Sequence, residues 1–471
     1  MIKFGTGGWR SFIGEEFTAD NVRIVSQAIA NLMIEQGHGD KEFCVGYDRR
    51  FLSDKASKWL SSVLAANGIT VKLIDHAVPT PTVMFVVKEQ NMPYGACITA
   101  SHNPYDYNGI KLFTEGGRDA TEEVTEDLEA GIAKLTIADV KEIDFEAAVE
   151  AGKIEIIRPM NDFVDSILNY LDVPAIRNAN LRVLVDPMHG VAKNALQTVL
   201  STARCQVDVI NDNHDTSFGG RLPSPYAHTL TELSSLVVER KYDIGIGSDG
   251  DGDRLGIIDE HGRYIHPNEV LALLYYYLLQ YKGQKGSVVR NLCTTHLLDK
   301  IAEDFGEKCF EVPVGFKHIS SGMEADNSLL GGESSGGLTL RGHIKGKDGV
   351  FASAVLVEMI CVTGKKLSEL LDEIFGKYGT FATAEGNCAF KASRKDELWK
   401  TIYEDKALPE FAGKEIEKVS YADGAKVYFT DNSWVVARFS GTEPLLRIFA
   451  EDSDMEKAEV LVKTFKDFLA I

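Results

Sequence analysis

Short apolar runs alternate with longer segments of helical periodicity over most of the chain, a pattern typical of α/β layers in which helices pack on a sheet. The pattern occurs three times before residue 379. It predicts strands at 43–48, 70–75, 94–99, 181–186, 242–247 and 287–291, and helices at 53–66, 192–200, 268–281 and 295–304. We therefore expect three α/β segments in series.

The remainder of the chain has a different pattern. Three strand-like segments, 426–429, 434–439 and 446–450, follow one another closely, and a helical segment at 455–469 closes the sequence. Short connections between consecutive strands favour antiparallel pairing. This part is therefore predicted to be a smaller α+β domain.

Composition limits the possible partners. With 471 residues, 44% of them hydrophobic, the chain can form three or four compact domains. The formal net charge of -20 argues against general binding to nucleic acid or to an anionic membrane. An anionic substrate would therefore have to meet locally concentrated arginine and lysine side chains.

The sequence also favours a soluble, cytoplasmic protein. Its first residues lack an apolar segment of signal-peptide length, and the longest apolar runs, such as 270–279, are too short to span a bilayer. The seven cysteines form no C-x-x-C pair, which fits reduced thiols better than a disulfide or zinc framework.

The segment Asp249-Gly250-Asp251-Gly252-Asp253-Arg254 carries the clearest chemistry. Three carboxylates separated only by glycine repel one another unless a cation lies between them. Mg²⁺ prefers oxygen ligands of this kind and takes its remaining ligands from water or phosphate. The segment therefore predicts a metal site that works on a phosphate.

Two other interpretations of this segment fit less well. A calcium loop needs glycine at its sixth position, which is Arg254 here, and residues 255–258 continue as an apolar strand. Residues 245–250 match a dinucleotide-binding fingerprint, but carboxylates and a strand follow where that motif requires a helix.

Three further loops carry polar groups at high density. Residues 99–104 end a strand with a hydroxyl, Ser101, beside His102 and shortly before Lys111, an arrangement suited to a nucleophile or phosphoryl acceptor. Residues 438–447 combine two arginines, two hydroxyls and a glycine in one turn, the donors that a phosphate dianion needs. The glycine-rich loop 331–337 adds a carboxylate and hydroxyls that could bind a polyol.

Taken together, these motifs resemble the α-D-phosphohexomutase superfamily, which includes phosphoglucomutases and phosphomannomutases. The resemblance covers essentially the whole chain. The motifs occur in the family's order, at 4–10, 99–104, 249–254, 314–317, 332–336 and 438–447.

The resemblance implies an α/β fold of four domains around a central cleft. Three would be related α/β/α domains with mixed sheets, and the fourth a smaller C-terminal α+β domain. The expected boundaries are 1–150 with the phosphoserine loop, 151–257 with the metal loop, 258–372 with the sugar-recognition loop and 373–471 with the phosphate-binding loop.

The resemblance also implies roles for individual residues. Ser101 would carry the phosphoryl group, and its neighbours Arg10, His102 and Lys111 would assist catalysis, with His102 and Lys111 as candidates for proton transfer. One Mg²⁺ would be held by Asp249, Asp251, Asp253 and Ser101. Substrate would contact Arg254, Gly315, Lys317, Glu333, Ser335, Arg438, Ser440, Gly441, Thr442 and Arg447.

One position departs from the family pattern. Many relatives carry a histidine directly after the Glu-x-Ser-Gly loop, whereas this chain has Gly337. Nearby Arg341, His343 and Lys345 are possible replacements for its contacts, although a solvated loop explains them equally well.

The function implied is a Mg²⁺-dependent phosphoglucomutase that interconverts α-D-glucose 1-phosphate and glucose 6-phosphate through a phosphoserine and a bound glucose 1,6-bisphosphate, which also serves as activator. A phosphomannomutase or phosphoglucosamine mutase with the same mechanism is the first alternative. A metal-dependent phosphatase and a metal- or phosphosugar-binding protein are the others. Small hexose phosphates are the expected partners, with no nucleic acid or membrane, and the protein is expected to be a monomer or homodimer.

Overall fold

The computed structural model describes residues 2–5, 8–439 and 445–471. The chain divides into two compact units, one formed by Met1–Val270 and Ser335–Ser368 and the other by Leu271–Ser334 and Glu369–Ile471. Each unit is described separately below. The four domain boundaries expected from the sequence remain a prediction.

The first sheet of the first unit is mixed. Its strands are β1 (Trp9–Phe12), β2 (Glu42–Tyr47), β3 (Thr70–Ile74), β4 (Tyr94–Ile98), β5 (Tyr107–Thr114), β6 (Arg118–Asp119) and β7 (Ile154–Ile157). Their order is β1-β5-β4-β2-β3-β7, with β6 beside β5. Strands β2, β3, β4 and β7 pair in parallel, and β5 is antiparallel to both β4 and β1.

Helices of this region connect and cover the sheet. They are α1 (Ala19–Glu35), α2 (Ser53–Ala66), α3 (Thr80–Glu89), α4 (Glu122–Ile132) and α5 (Phe145–Glu150), with a 3₁₀ turn at Ile137–Asp139. The buried faces of α1 and α2 join the sheet in one apolar core that includes Val25, Leu60 and Phe43. This arrangement is the α/β layer that the apolar pattern predicted.

The second sheet of the first unit is mixed as well. Its strands are β8 (Arg182–Asp186), β9 (Gln206–Val209), β10 (Ile244–Ser248), β11 (Leu255–Ile258) and β12 (Tyr264–Ile265). The helices are α6 (Met160–Tyr170), α7 (Val173–Ala179), α8 (Ala192–Thr202) and α9 (Thr231–Arg240), with a 3₁₀ turn at Phe218–Gly220. Strand β8 is parallel to β9 and β10, whereas β11 is antiparallel to β10. The metal loop is therefore the turn of the β10–β11 hairpin.

Residues 267–378, the third α/β stretch of the sequence, are divided between the units: 267–270 and 335–368 belong to the first, and 271–334 and 369–378 to the second. Its strands are β13 (Val288–Asn291), β14 (Cys309–Val312), β15 (Leu330–Gly332) and β16 (Leu338–Leu340), and its helices are α10 (Pro267–Tyr276, followed by a π turn at Tyr277–Tyr281), α11 (Leu297–Asp304), α12 (Phe316–Asp326), α13 (Gly349–Thr363) and α14 (Leu367–Tyr378). Strand β13 pairs in parallel with β14 and β15. Helix α13 is apolar around most of its circumference, and it is buried along residues 349–360.

The C-terminal sheet is antiparallel throughout, as predicted. Its strands are β17 (Ala382–Ala389), β18 (Ile416–Ser420), β19 (Ala425–Phe429), β20 (Trp434–Phe439) and β21 (Leu445–Asp452), in the order β17-β21-β20-β19-β18. The helices are α15 (Lys395–Trp399) and α16 (Met455–Leu469), with a 3₁₀ turn at Ala392–Arg394 and a π turn at Lys400–Glu404.

The predicted α/β class, with three α/β/α domains and an antiparallel C-terminal domain, is confirmed. Helices α2 and α16 have the predicted bounds. Helices α1 and α3 and strand β5 lie where the sequence analysis assigned no element. Within the described ranges, every helix is too short or too polar to cross a membrane.

Candidate active site

The hairpin turn between β10 and β11 gathers three buried carboxylates. Asp249, Asp251 and Asp253 are each 0% exposed, and one oxygen from each lies within 4.8 Å of the others. Oδ1 of Asp251 and Oδ1 of Asp253 are buried and accept no hydrogen bond from the residues that the structure describes. Buried anionic oxygens without donors are costly unless a cation takes them, so these residues fit the metal site that the sequence predicted.

Lys111 projects from β5 into this cluster. Its Nζ lies 2.6 Å from Oδ2 of Asp251 and 2.6 Å from Oδ2 of Asp253. Burial opposes the charge of the ammonium group, but these two carboxylates outweigh burial and raise the pKa of Lys111. Burial likewise opposes ionisation of Asp253, but Lys111 and the next largest contributor, Lys347, hold the pKa of Asp253 well below its usual range. The site therefore combines charged groups of both signs.

Ser101 approaches the cluster from the loop after β4. Its Oγ donates to Oδ2 of Asp249 over 3.1 Å and lies 3.3 Å from Nδ1 of His102. The metal loop passes so close that a Cβ on Gly250 would lie 2.7 Å from the carbonyl oxygen of Ser101. Burial, reinforced by Asp251 and Asp253, raises the pKa of Asp249 well above its ordinary value.

Cationic residues lie near Ser101. Nη1 of Arg10 donates to Oδ1 of Asn103 over 3.0 Å, and the backbone N–H of Arg254 donates to Oδ1 of Asp249 over 3.1 Å. Burial and Arg254 lower the pKa of Arg10, and burial with Arg254 and Arg10 lowers the pKa of His102 well below its ordinary value. Cationic groups that repel one another in a buried site are suited to an anion such as a phosphoryl group.

Lys347 is a site residue that the sequence analysis missed. It is buried, and its Nζ lies 3.4 Å from Oδ2 of Asp253 and 3.8 Å from Oδ2 of Asp119. A Cβ added to Gly337 would overlap Cδ of Lys347. The lysine stem therefore occupies space that a larger residue at position 337 would need. The sequence did contain one signal for this residue, since Gly337 departs from the family motif.

Two of the suggested replacements near Gly337, His343 and Lys345, have other surroundings. Nε2 of His343 lies 2.7 Å from Oδ2 of Asp348, and its ring stacks on Phe351 at 3.9 Å. Asp348 also caps α13 by accepting from the N–H of Phe351. His343 is therefore held at the start of α13. The stem of Lys345 packs beside Gly116.

The second unit contains another group of predicted site residues. Oε1 of the buried Glu333 accepts from the N–H of Gly315 and from Nδ2 of Asn291, each over 3.0 Å. Gly315 has a φ of 129° and precedes α12, whose first turn contains Lys317. Ser335 belongs to the first unit and is half-buried. Asn291 was not predicted from the sequence.

Two arginines of the C-terminal sheet face each other. Arg438 on β20 is the cross-strand partner of Arg447 on β21. Asp423 lies 3.2 Å from Nη2 of Arg438 and also accepts from the N–H of Val314 over 3.0 Å. Nε of Arg447 is buried without an acceptor among the described residues. Opposed like charges destabilise a sheet, so this end of the hairpin fits an anion. Ser440, Gly441 and Thr442 lie outside the described residues.

Comparison with known proteins places the chain in a family. The four domain models of the phosphoglucomutase/phosphomannomutase family match in order: α/β/α domain I at residues 1–138, domain II at 161–262, domain III at 266–378 and the C-terminal domain at 390–467. The chain belongs to the phosphoglucomutase/phosphomannomutase family, as the motifs indicated, and it is a phosphohexomutase.

Individual relatives carry different substrate names. A phosphoglucomutase/phosphomannomutase of Thermococcus kodakarensis is 34% identical over 456 residues, covering 97% of this chain and 95% of the relative. A phosphoglucosamine/phosphogalactosamine mutase of Sulfurisphaera tokodaii is 30% identical over 466 residues, covering 98% of each. The crystal structure of a candidate phosphomannomutase from Thermus thermophilus superposes with a TM-score of 0.87 at 27% identity, covering 100% of this chain and 99% of that one.

Proposed function

We propose that this phosphohexomutase interconverts α-D-glucose 1-phosphate and glucose 6-phosphate with Mg²⁺, through a phosphoserine at Ser101 and bound glucose 1,6-bisphosphate. The observation that carries the proposal is the hydroxyl of Ser101 at 3.1 Å from Asp249, in a cluster whose other carboxylates each keep a buried oxygen that no described group donates to. A serine beside a metal-binding carboxylate cluster is suited to reversible phosphoryl transfer.

The metal would be held by Asp249, Asp251 and Asp253, with Ser101 supplying a further ligand through its hydroxyl or phosphoryl oxygens. It would neutralise the negative charge that develops on the transferred group. Phosphoryl transfer requires mainly positioning and charge neutralisation, and the cationic groups around Ser101 supply both.

In the forward half-reaction the bond between phosphorus and Oγ of Ser101 breaks, and a bond forms between phosphorus and the free hydroxyl oxygen of the hexose phosphate. The proton of that hydroxyl leaves, and Ser101 recovers a proton. His102, whose Nδ1 lies 3.3 Å from Oγ of Ser101, and Lys111, whose Nζ lies 2.6 Å from Asp251, are the candidates for moving these protons. The second half-reaction returns the other phosphate of the bisphosphate to Ser101.

The second unit contains groups suited to the rest of a sugar phosphate. Glu333 accepts hydrogen bonds and is suited to sugar hydroxyls, while Arg438 and Arg447 are suited to the phosphate that is not transferred. Arg254, Gly315, Lys317 and Ser335 are proposed to complete substrate binding, together with Ser440, Gly441 and Thr442. The relatives' names include both glucose and hexosamine phosphates, so phosphomannomutase and phosphoglucosamine mutase activities are the alternatives within the same mechanism.

The test is a coupled assay of glucose 1-phosphate conversion with Mg²⁺ and a trace of glucose 1,6-bisphosphate, with inorganic phosphate followed in parallel. We expect conversion without phosphate release, and its loss on chelation with EDTA. Mannose and glucosamine 1-phosphates are run beside it, and faster turnover of either would overturn the glucose assignment. Phosphate release that matches substrate loss would instead identify a phosphatase.

A matched pair of serine variants tests the nucleophile. Ser101→Ala should abolish conversion while the fold persists. Ser61→Ala removes a buried serine of α2 that donates to the carbonyl of Ser57, and this variant should retain activity. Full activity in Ser101→Ala would rule out a phosphoserine at this position.

A further inference from the structure

Ser101 has a backbone conformation that serine rarely adopts. Its φ is 53°, in the left-handed region. Such a conformation costs free energy and persists only where surrounding contacts enforce it. The residues that enforce it determine where the hydroxyl points.

Arg50 makes an unusual set of contacts with this loop. It is 3% exposed, and its two terminal nitrogens donate to four backbone carbonyls. Nη2 donates to the carbonyls of Ser101 and Asn103 over 2.7 and 2.6 Å, and Nη1 donates to those of Pro104 and Tyr107 over 2.6 and 3.0 Å. The four N–H groups on Nη1 and Nη2 thus bind the backbone of a single loop. A lysine ammonium cannot reproduce this geometry.

A second series of contacts connects Arg50 to Ser101 through Asp48. Oδ2 of Asp48 lies 3.3 Å from Nε of Arg50. The same oxygen accepts from the hydroxyl of Thr99 over 2.6 Å, and Thr99 Oγ1 in turn accepts from the N–H of Ser101 over 2.9 Å. The ring of Phe218 packs on the guanidinium at 4.9 Å. Both backbone polar groups of Ser101 are therefore bound, directly or through Thr99, to the same ion pair.

We propose that Arg50 is a positioning residue that holds the 101–107 loop, and with it the Ser101 hydroxyl, in the conformation required for phosphoryl transfer. The residue does not touch the reacting atoms and acts through the backbone. Its kinetic consequence rests on the proposed function, but its effect on the loop does not.

The test compares Arg50→Lys with Arg23→Lys. Arg23 lies in the same domain, pairs with Glu142 at 2.9 Å and packs on Trp59 at 5.4 Å, so it matches Arg50 in chemistry but not in location. Hydrogen exchange of the unphosphorylated protein is measured by mass spectrometry. We expect Arg50→Lys to raise exchange in residues 99–107 by roughly tenfold, with little change elsewhere. Arg23→Lys should leave that loop unchanged.

Kinetics supply the second readout. Because a displacement of about 1 Å at a reacting group can cost about 100-fold in rate, Arg50→Lys should lower kcat by about 100-fold while KM for the sugar phosphate stays within about threefold. Added guanidinium ion should partly restore kcat in Arg50→Ala, since it can fill the vacated site.

The outcomes separate the two proposals. Unchanged exchange in 99–107, or a uniform rise across the first domain, would overturn the positioning role, the latter by showing a general loss of stability. If the wild-type protein converts no sugar phosphate but the exchange rises selectively, the proposed function fails and the positioning role stands.

Discussion

Asn291 donates from Nδ2 to Oε1 of Glu333 over 3.0 Å, and its orientation is fixed by the groups on its other side. Its Oδ1 accepts from the N–H of Cys293 and from the hydroxyl of Thr294, each over 2.9 Å. A backbone N–H can only donate, so the amide oxygen must face Cys293 and the amide nitrogen must face Glu333. Glu333 thereby receives two donors on one oxygen, which fixes the orientation of the other oxygen, the one proposed to accept from the sugar.

Asn291→Asp should weaken sugar binding. The new carboxylate still accepts from Cys293 and Thr294, but it repels Glu333 instead of donating to it. A hydrogen bond to a charged group contributes about 1.5–3 kcal/mol, so we expect KM for the sugar phosphate to rise by roughly 10- to 100-fold. Steady-state kinetics with glucose, mannose and glucosamine 1-phosphates measure this. Thr294→Val leaves the contact with Glu333 in place and is the control, and a similar KM in both variants would contradict the orienting role.

Substitutions at Gly337 and Lys347 should have strongly non-additive effects on stability. Gly337→Ala places a Cβ where the stem of Lys347 lies, so the lysine side chain must shift. We expect the overlap to cost about 1–3 kcal/mol and to lower the thermal midpoint of unfolding.

In a Lys347→Ala background the same glycine substitution has room, so its effect on the thermal midpoint should largely disappear. A double-mutant cycle of unfolding midpoints and of kcat measures the coupling. Additive effects would show that the two positions do not compete for space. Gly376→Ala is the control for glycine replacement, because in its helix the added Cβ meets no described atom within 4 Å apart from its chain neighbours and the helix's own backbone.

Whether a site residue could be predicted depends on how far it lies in the sequence from the residues that it contacts. Asp249, Asp251 and Asp253 lie within one short turn, so their spacing alone indicates a shared cation. Arg50 reaches Ser101, and Asn291 reaches Glu333, only after distant segments have folded together, and no local pattern distinguishes these two residues from ordinary polar residues. Lys347 also lies far from Asp253 in the chain, and its sequence signal was indirect, the glycine at position 337.

The same reasoning applies to the elements. Helix α2 has a clear amphipathic pattern and its bounds were predicted, whereas α3 is buried on nearly every side and lacks the polar face that marks a helix. Strand β5 follows the polar loop of Ser101 closely, and the sequence analysis assigned no element to its residues. Fold class was therefore easier to predict than the packing that positions the site.

His296 should make the protein sensitive to acid. Its side chain is 15% exposed, and its ring stacks beside Tyr428 and lies 3.1 Å from Nζ of Lys426. Burial, followed by Arg290 and Lys426, lowers its pKa from 6.5 to about 3. Between these values the unfolded chain binds a proton that the folded protein excludes. The stability due to the neutral ring is therefore complete above pH 6.5 and is lost as the pH falls toward 3.

His296→Gln removes this titration. Across that window the free energy of unfolding of the wild type should fall up to about 1.4 kcal/mol more per pH unit than that of the variant. Urea unfolding at a series of pH values measures the slope. His261→Gln, which replaces a histidine whose side chain is 70% exposed, should keep the wild-type slope. Equal slopes in the wild type and His296→Gln would show that His296 is not kept neutral.

Arg447→Gln should affect stability and substrate binding in opposite directions. Arg438 and Arg447 face each other across β20 and β21, and like charges in that position destabilise a sheet by about 0.2–1 kcal/mol. Without phosphate ligands, the variant should therefore unfold at a slightly higher temperature. Because a charge-assisted contact to phosphate is lost, KM for the sugar phosphate should rise by more than about tenfold.

Arg394→Gln is the control in the same domain. Arg394 donates to the carbonyls of Leu469 and Ala470, so its replacement should lower stability and leave KM unchanged. Thermal unfolding with and without inorganic phosphate completes the test, since phosphate should stabilise the wild type more than Arg447→Gln. A less stable Arg447→Gln protein with an unchanged KM would mean that Arg447 supports the sheet and does not bind substrate.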